Sequence, residues 1–192
     1  MLFKKKYISI IAALTISCFF IASCENDVKK IDALLKDRSA IEEAFTIESF
    51  LSQSGQVKAK LTAPYMMRVQ GDSPSDSPYV EFTKTMHVDF YTDSTIIEST
   101  LDARYAKYFQ NSGLVLLRDS VVVINKNNRD TLRTNELWWD RDKREFRTDK
   151  PVQIYQKDKT IFGRGLWGLQ DFSKYKIDTI TGYVLVPPDD IP

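Results

Sequence analysis

Three groups of residues have the types that chemistry uses. His87 is the only histidine among 192 residues, and Glu81, Glu98 and Glu136 are carboxylates that could serve beside it as acid and base. Cys18 and Cys24 are the only thiols, and Gly163-Arg164-Gly165 sets two glycines close together. Around them the chain lacks a Gly-x-Ser-x-Gly elbow, a phosphate-cradling glycine loop and a His-Glu-x-x-His pair. One histidine without a free cysteine leaves a transition metal short of donors. His87 lies on the outward phase of an alternating segment and reads as an exposed structural histidine. The glutamates cannot be paired from sequence and read as a solvated strand face. The two glycines read as points where backbone passes close to a neighbour or a strand flexes. No catalytic residue, metal ligand or cofactor is assigned, and the expectation is a protein that is not an enzyme.

Cys24 is the exception. Lys4, Lys5 and Lys6 precede an uncharged run from Tyr7 to Ile21, which closes on Ile21-Ala22-Ser23-Cys24. The run is shorter than the roughly 20 residues of a spanning helix. A basic start, a short apolar stretch and small residues form an export signal. Ile-Ala-Ser-Cys resembles the lipobox of bacterial lipoproteins, in which the cysteine is acylated and the leader is cut before it. The expectation is a signal peptide over residues 1–23 and a membrane anchor on Cys24. A plain export signal and an uncleaved anchor are the alternatives. One acyl chain anchors marginally, and two or three suffice.

Residues 24–192 then make one domain and a tether, without a second thiol for a disulfide. Three of the 27 basic residues lie in the leader, leaving 24 against 26 acidic ones, a balance of −2. That is no electrostatic footprint for nucleic acid.

The elements that must position these residues read as strands. Residues 24–44 are polar and charged and read as a tether, with a short amphipathic helix through Val28, Ile31, Leu34 and Leu35 as the alternative. Phe45–Gln53 and Val57–Met67 read as strands around a Ser54-Gly55 turn, and Gly71 to Pro78 is a loop. Met86, Val88 and Phe90 alternate with His87, Asp89 and Tyr91, the period of a strand with one face on a core. Further strands are expected at 95–109, 113–125, 130–139, 144–156, 159–167 and 176–186, with 187–192 as a tail. Many short strands at near-regular spacing indicate an all-β sandwich, roll or barrel.

An internal repeat supports this. An offset of 31 lays Ala103 on Thr134, Val121 on Val152 and Val123 on Ile154, and a second step lays Thr134 on Gly165. An earlier copy fits around Ala63 if the Gly71–Pro78 loop is an insertion. Each copy is a strand pair that cannot cover its own apolar face, so stacked copies bury one interior. Leu114–Leu117 and Val121–Ile124 are apolar on both faces. Trp138 and Trp139 must point to opposite sides of their strand. An interior open at an edge would gain about 0.8 kcal/mol per methylene removed from water.

Ser52 through Pro64, Leu101–Ala106, Leu132–Asp140 and Ile161–Gly165 together resemble the LptC family of lipopolysaccharide-export proteins, over residues 45–186. The resemblance implies a β-jellyroll of two facing antiparallel sheets on the periplasmic face of the inner membrane. It implies that the protein takes lipopolysaccharide from an ABC transporter and passes it to an LptA-like periplasmic jellyroll carrier, acyl chains inside the roll. Partner edges would then be the first and last strands, at Phe45, Ile47, Tyr183 and Leu185. Inward-phase groove candidates are Met86, Val88, Phe90, Val121, Val123, Val152 and Ile154. Familiar members use a transmembrane helix where this chain has Cys24. A homodimer through the same edges stays open, and the runner-up is a structural or adhesion lipoprotein with a closed β core.

Overall fold

The computed structural model describes residues 41–70 and 77–185, and these are all-β. The expected signal, Cys24, nearly all of the expected tether and the tail lie outside the described residues. Eleven strands run in chain order: β1 (Ile41–Gln53), β2 (Gln56–Val69), β3 (Tyr79–Phe82), β4 (Met86–Tyr91), β5 (Ile97–Ala103), β6 (Tyr105–Phe109), β7 (Leu114–Asn125), β8 (Thr131–Asp140), β9 (Glu145–Tyr155), β10 (Lys159–Leu169) and β11 (Tyr175–Leu185). All pairings are antiparallel, in the order β11-β10-β9-β8-β7-β5-β4-β2-β3-β6, with β6 returning to β7 and β1 on β2. Thus, among the described residues, β1 and β11 each have one strand neighbour and stand at the two ends of the sheet.

The long strands are bent near their middles, and the bends line up. Thr46 and Pro64 drop out of the β1–β2 ladder, and Thr46 takes a φ of 53°. Arg104 separates β5 from β6, and its N–H donates to the Asp119 carbonyl at 3.0 Å. Asp119 and Ser120 have φ of 62° and 54°, and the β7–β8 register slips between Arg118 and Val121. The β8–β9 register slips after Thr134, and the β9–β10 register between Arg164 and Leu166. Bulges of this kind add a residue to one strand and turn its course. A fold line therefore crosses the sheet and divides it into two facing layers. One layer holds β4, β5 and the adjoining halves of the long strands, and the other holds β3, β6 and the remaining halves.

Ala103, Thr134 and Gly165 all sit at this fold line, so the 31-residue offset marks where each strand bends. Gly165 has a φ of +73°, and a Cβ there would meet the Asp178 carboxylate at 2.3 Å. A Cβ on Gly163 would lie 2.8 Å from the Thr179 carbonyl oxygen. Both glycines let β11 pass close, as their spacing suggested.

The layers meet through an apolar interior. Phe90 of the first packs edge-on against Trp139 of the second, ring centroids 5.1 Å apart, and against Phe146 at 6.2 Å. Three details differ from the sequence reading, the first being that β1 already starts at Ile41, inside the expected tether. The stretch 95–109 is two strands rather than one, because the fold line cuts it at Arg104. Tyr79–Phe82 forms an extra four-residue strand between β2 and β6.

Candidate functional site

The inner face of the first layer is built from cross-strand rows. Leu61, Val88, Leu101, Val123, Leu132 and Ile154 stand opposite one another in turn across six strands. The row continues through Ile161 to Tyr183 on the outer strand. On the second layer Arg68, Val80, Tyr108, Val115, Trp139 and Phe146 form the facing row. Alternation along each strand places these side chains inward. The result is an apolar trough running from β1 to β11, with an arginine in the row at its β1 end.

The two ends differ. Toward β1 the layers leave a cavity of ≈ 210 Å³. Leu51, Ala59, Leu61, Met86 and Val88 line it from the first layer, and Met66, Val80, Phe82, Val115 and Trp139 from the second. Arg68, Gln110 and Arg141 add polar groups to its wall. Toward β11 the trough is filled. Leu132, Leu137, Phe146, Ile154 and Phe172 are fully buried and belong to one core.

A clasp closes that filled half. The β10–β11 turn folds over the trough and inserts Phe172, which stacks on Tyr175 with centroids 4.6 Å apart. Ser99 Oγ donates to the Gln170 carbonyl at 2.9 Å, and Asn125 Nδ2 to the Asp171 carbonyl at 2.9 Å. Trp139 Nε1 donates to Gln170 Oε1 at 3.4 Å, and the Gln170 N–H to the Arg144 carbonyl at 2.9 Å. Nearby, the Tyr175 hydroxyl donates to Asp130 at 3.4 Å. Burial, then the Asp130 charge and hydrogen bond, raise the Tyr175 hydroxyl to about 12.

The seven groove candidates all face the interior and are at most 2 % exposed. Met86 and Val88 line the cavity, whereas Phe90, Val121, Val123, Val152 and Ile154 sit in the packed core. Of the edge candidates, Phe45, Tyr183 and Leu185 are 68 %, 67 % and 67 % exposed, whereas Ile47 turns in and lines the cavity. Most large apolar side chains exposed among the described residues lie on these two strands, with Ile41 and Phe50 on β1 and Ile180 and Val184 on β11.

The charged candidates are not assembled. His87 Nδ1 lies 2.7 Å from Asp102 and its Nε2 3.1 Å from Asp89. Burial lowers its pKa, but the two carboxylates outweigh burial and hold it above the ordinary value. Glu81 pairs with Lys107 at 3.4 Å, Glu136 with Arg118 at 2.8 Å, and Glu98 with Arg144 at 3.8 Å. Desolvation is the main cause that raises the Glu98 carboxyl. These are separate ion pairs. Among the described residues no group of three His, Cys, Asp or Glu side chains is arranged for a metal.

Sequence reasoning missed Arg68, Arg141 and the Phe172 clasp. The signal for Arg68 was its phase, two residues after inward Met66. Phe172 was masked by its setting, a polar turn.

The family described as Lipopolysaccharide-assembly, LptC-related matches residues 9–175, well over half of the chain. No curated protein matches it. With this match and an unclosed, two-layered antiparallel roll, the chain belongs to the LptC family, non-enzymatic bridge proteins of lipopolysaccharide export.

Proposed function

We propose that this protein is a lipid-anchored relay on the periplasmic face of the inner membrane. It accepts lipopolysaccharide from the export transporter at the β1 edge and passes it to an LptA-like carrier at the β11 edge. The observation that carries this reading is the unclosed sheet, whose two terminal strands have one neighbour each among the described residues and carry most of the exposed large apolar side chains there. Unpaired strand edges are templates for another chain's backbone, and such addition makes trough follow trough. Acyl chains enter at the β1 end, where the cavity already exists, and the clasp must loosen for them to travel on. Energy comes from the transporter. Acylation at Cys24 holds the domain at the membrane.

A photo-crosslinker at Val88, and separately at the half-buried Leu51, tests the relay. Both should capture lipopolysaccharide in cells with an active transporter, and an outward crosslinker at Asp149 should not. Absence of adducts at both cavity positions, in folded protein, overturns the reading in favour of a closed-core structural lipoprotein. That second reading draws on the filled half of the trough.

A further inference from the structure

The mouth of the cavity is not purely apolar, and its polarity has one sign. Arg68 heads the row that runs on through Val80, Tyr108, Val115, Trp139 and Phe146, and it lines the cavity although its side chain as a whole is 42 % exposed. Its Nε is shut off from solvent and has no acceptor among the described residues. A buried donor without a partner is rare enough to require a cause, and an absent ligand is one. Glu42 reaches only Nη1, at 3.4 Å, and shares its carboxylate with Gln70 Nε2 at 3.0 Å.

Arg141 approaches the same cavity from the β8–β9 turn. The turn is anchored by its N–H, which donates to the Gly113 carbonyl at 3.3 Å. The guanidinium stacks 4.6 Å from the Tyr108 ring, and no carboxylate pairs with it among the described residues. A stacked guanidinium keeps its edge donors free, in a fork that matches a phosphate.

We propose that Arg68 and Arg141 make the cavity mouth a reader of phosphorylated amphiphiles, seating a phosphate at the rim while an acyl chain occupies the interior. This rests on the relay reading and adds a selectivity to it: among membrane lipids with similar chains, those bearing a phosphate monoester on the headgroup are preferred at entry. Glu42 acts as a competing anion on Arg68.

Displacement of an uncharged fluorescent acyl probe from the whole protein in detergent tests this. The competitors are lipid A with its phosphates, the same lipid A with the phosphates removed, and inorganic phosphate. The phosphorylated form should displace the probe about tenfold more tightly, the worth of one hydrogen-bonded charge pair. Arg68→Gln and Arg141→Gln should each erase most of that preference and leave the dephosphorylated form unchanged, while Glu42→Gln should sharpen it. Inorganic phosphate should displace nothing. Equal displacement by the two lipid A forms overturns the phosphate reader and leaves the trough standing. Displacement by neither overturns both. Probe release by inorganic phosphate alone overturns the amphiphile assignment. The comparison of ligands on the unmodified protein stands even if an arginine variant folds poorly.

Discussion

Ser99 and Gln170, 71 residues apart in the chain, join the two layers by one buried hydrogen bond of 2.9 Å. Ser99 is fully buried, and the carbonyl it satisfies belongs to the turn that carries Phe172. Removing the hydroxyl leaves that carbonyl without this donor. Ser99→Ala should cost about 1–3 kcal/mol, read as a lowered urea midpoint with little change in slope.

Phe172 fills the space that the same turn covers. Phe172→Ala should cost about 3–5 kcal/mol and extend the cavity toward β11. A dye that fluoresces in apolar surroundings should bind the variant more strongly than the parent while near-ultraviolet circular dichroism shows the fold retained.

Charge sets a pH dependence on the outer face. His87 is held between Asp102 and Asp89, and its pKa in the folded chain lies above the ordinary 6.5. A raised pKa means that folding binds the proton more tightly than the unfolded chain does. The stabilisation is complete below about pH 6.5 and is lost as pH rises through the folded value. Urea unfolding across that window should show stability declining with rising pH, and His87→Gln should flatten the decline.

The legible parts of this fold were the ones governed by local period. Met86, Val88 and Phe90 were assigned inward from alternation alone, and all three are at most 1 % exposed. Adjacent Trp138 and Trp139 split as strand geometry requires, with Trp139 in the core and Trp138 stacked outside on Phe109 at 6.1 Å. The break at Arg104 was illegible because its cause is remote: Ala103 and Tyr105 both suit a strand, and the bend is imposed across the sheet by Asp119. The four residues of β3 are too few for a period to show. The cavity is a difference in packing between two ends of one trough, and packing density is not written in any short segment.

The β11 edge can be tested by proline. Thr181 falls out of the β10 register, between Ile180 and Gly182, a bulge on an edge strand, where proline is tolerated best. Thr181→Pro should weaken retention of the LptA-like carrier in a pull-down by removing a strand donor, with thermal stability nearly unchanged. Undiminished retention would count against this edge.

The anchor has its own test. Cys24→Ala should abolish acylation and leave the leader uncut, seen by mass spectrometry as retention of residues 1–23 and absence of acyl chains. A free thiol at Cys24 in the unaltered protein would remove the anchor.

A closed barrel couples girth, tilt and stagger, so changing its size means recutting every strand. Here the long strands each turn along one shared line, and among the described residues neither flank is sealed. Hairpins can thus be appended or deleted singly in increments of about 31 residues, the remainder keeping its packing. Length in such an architecture is free to evolve separately from bore, and a conduit of varied reach can be assembled from one repeated part.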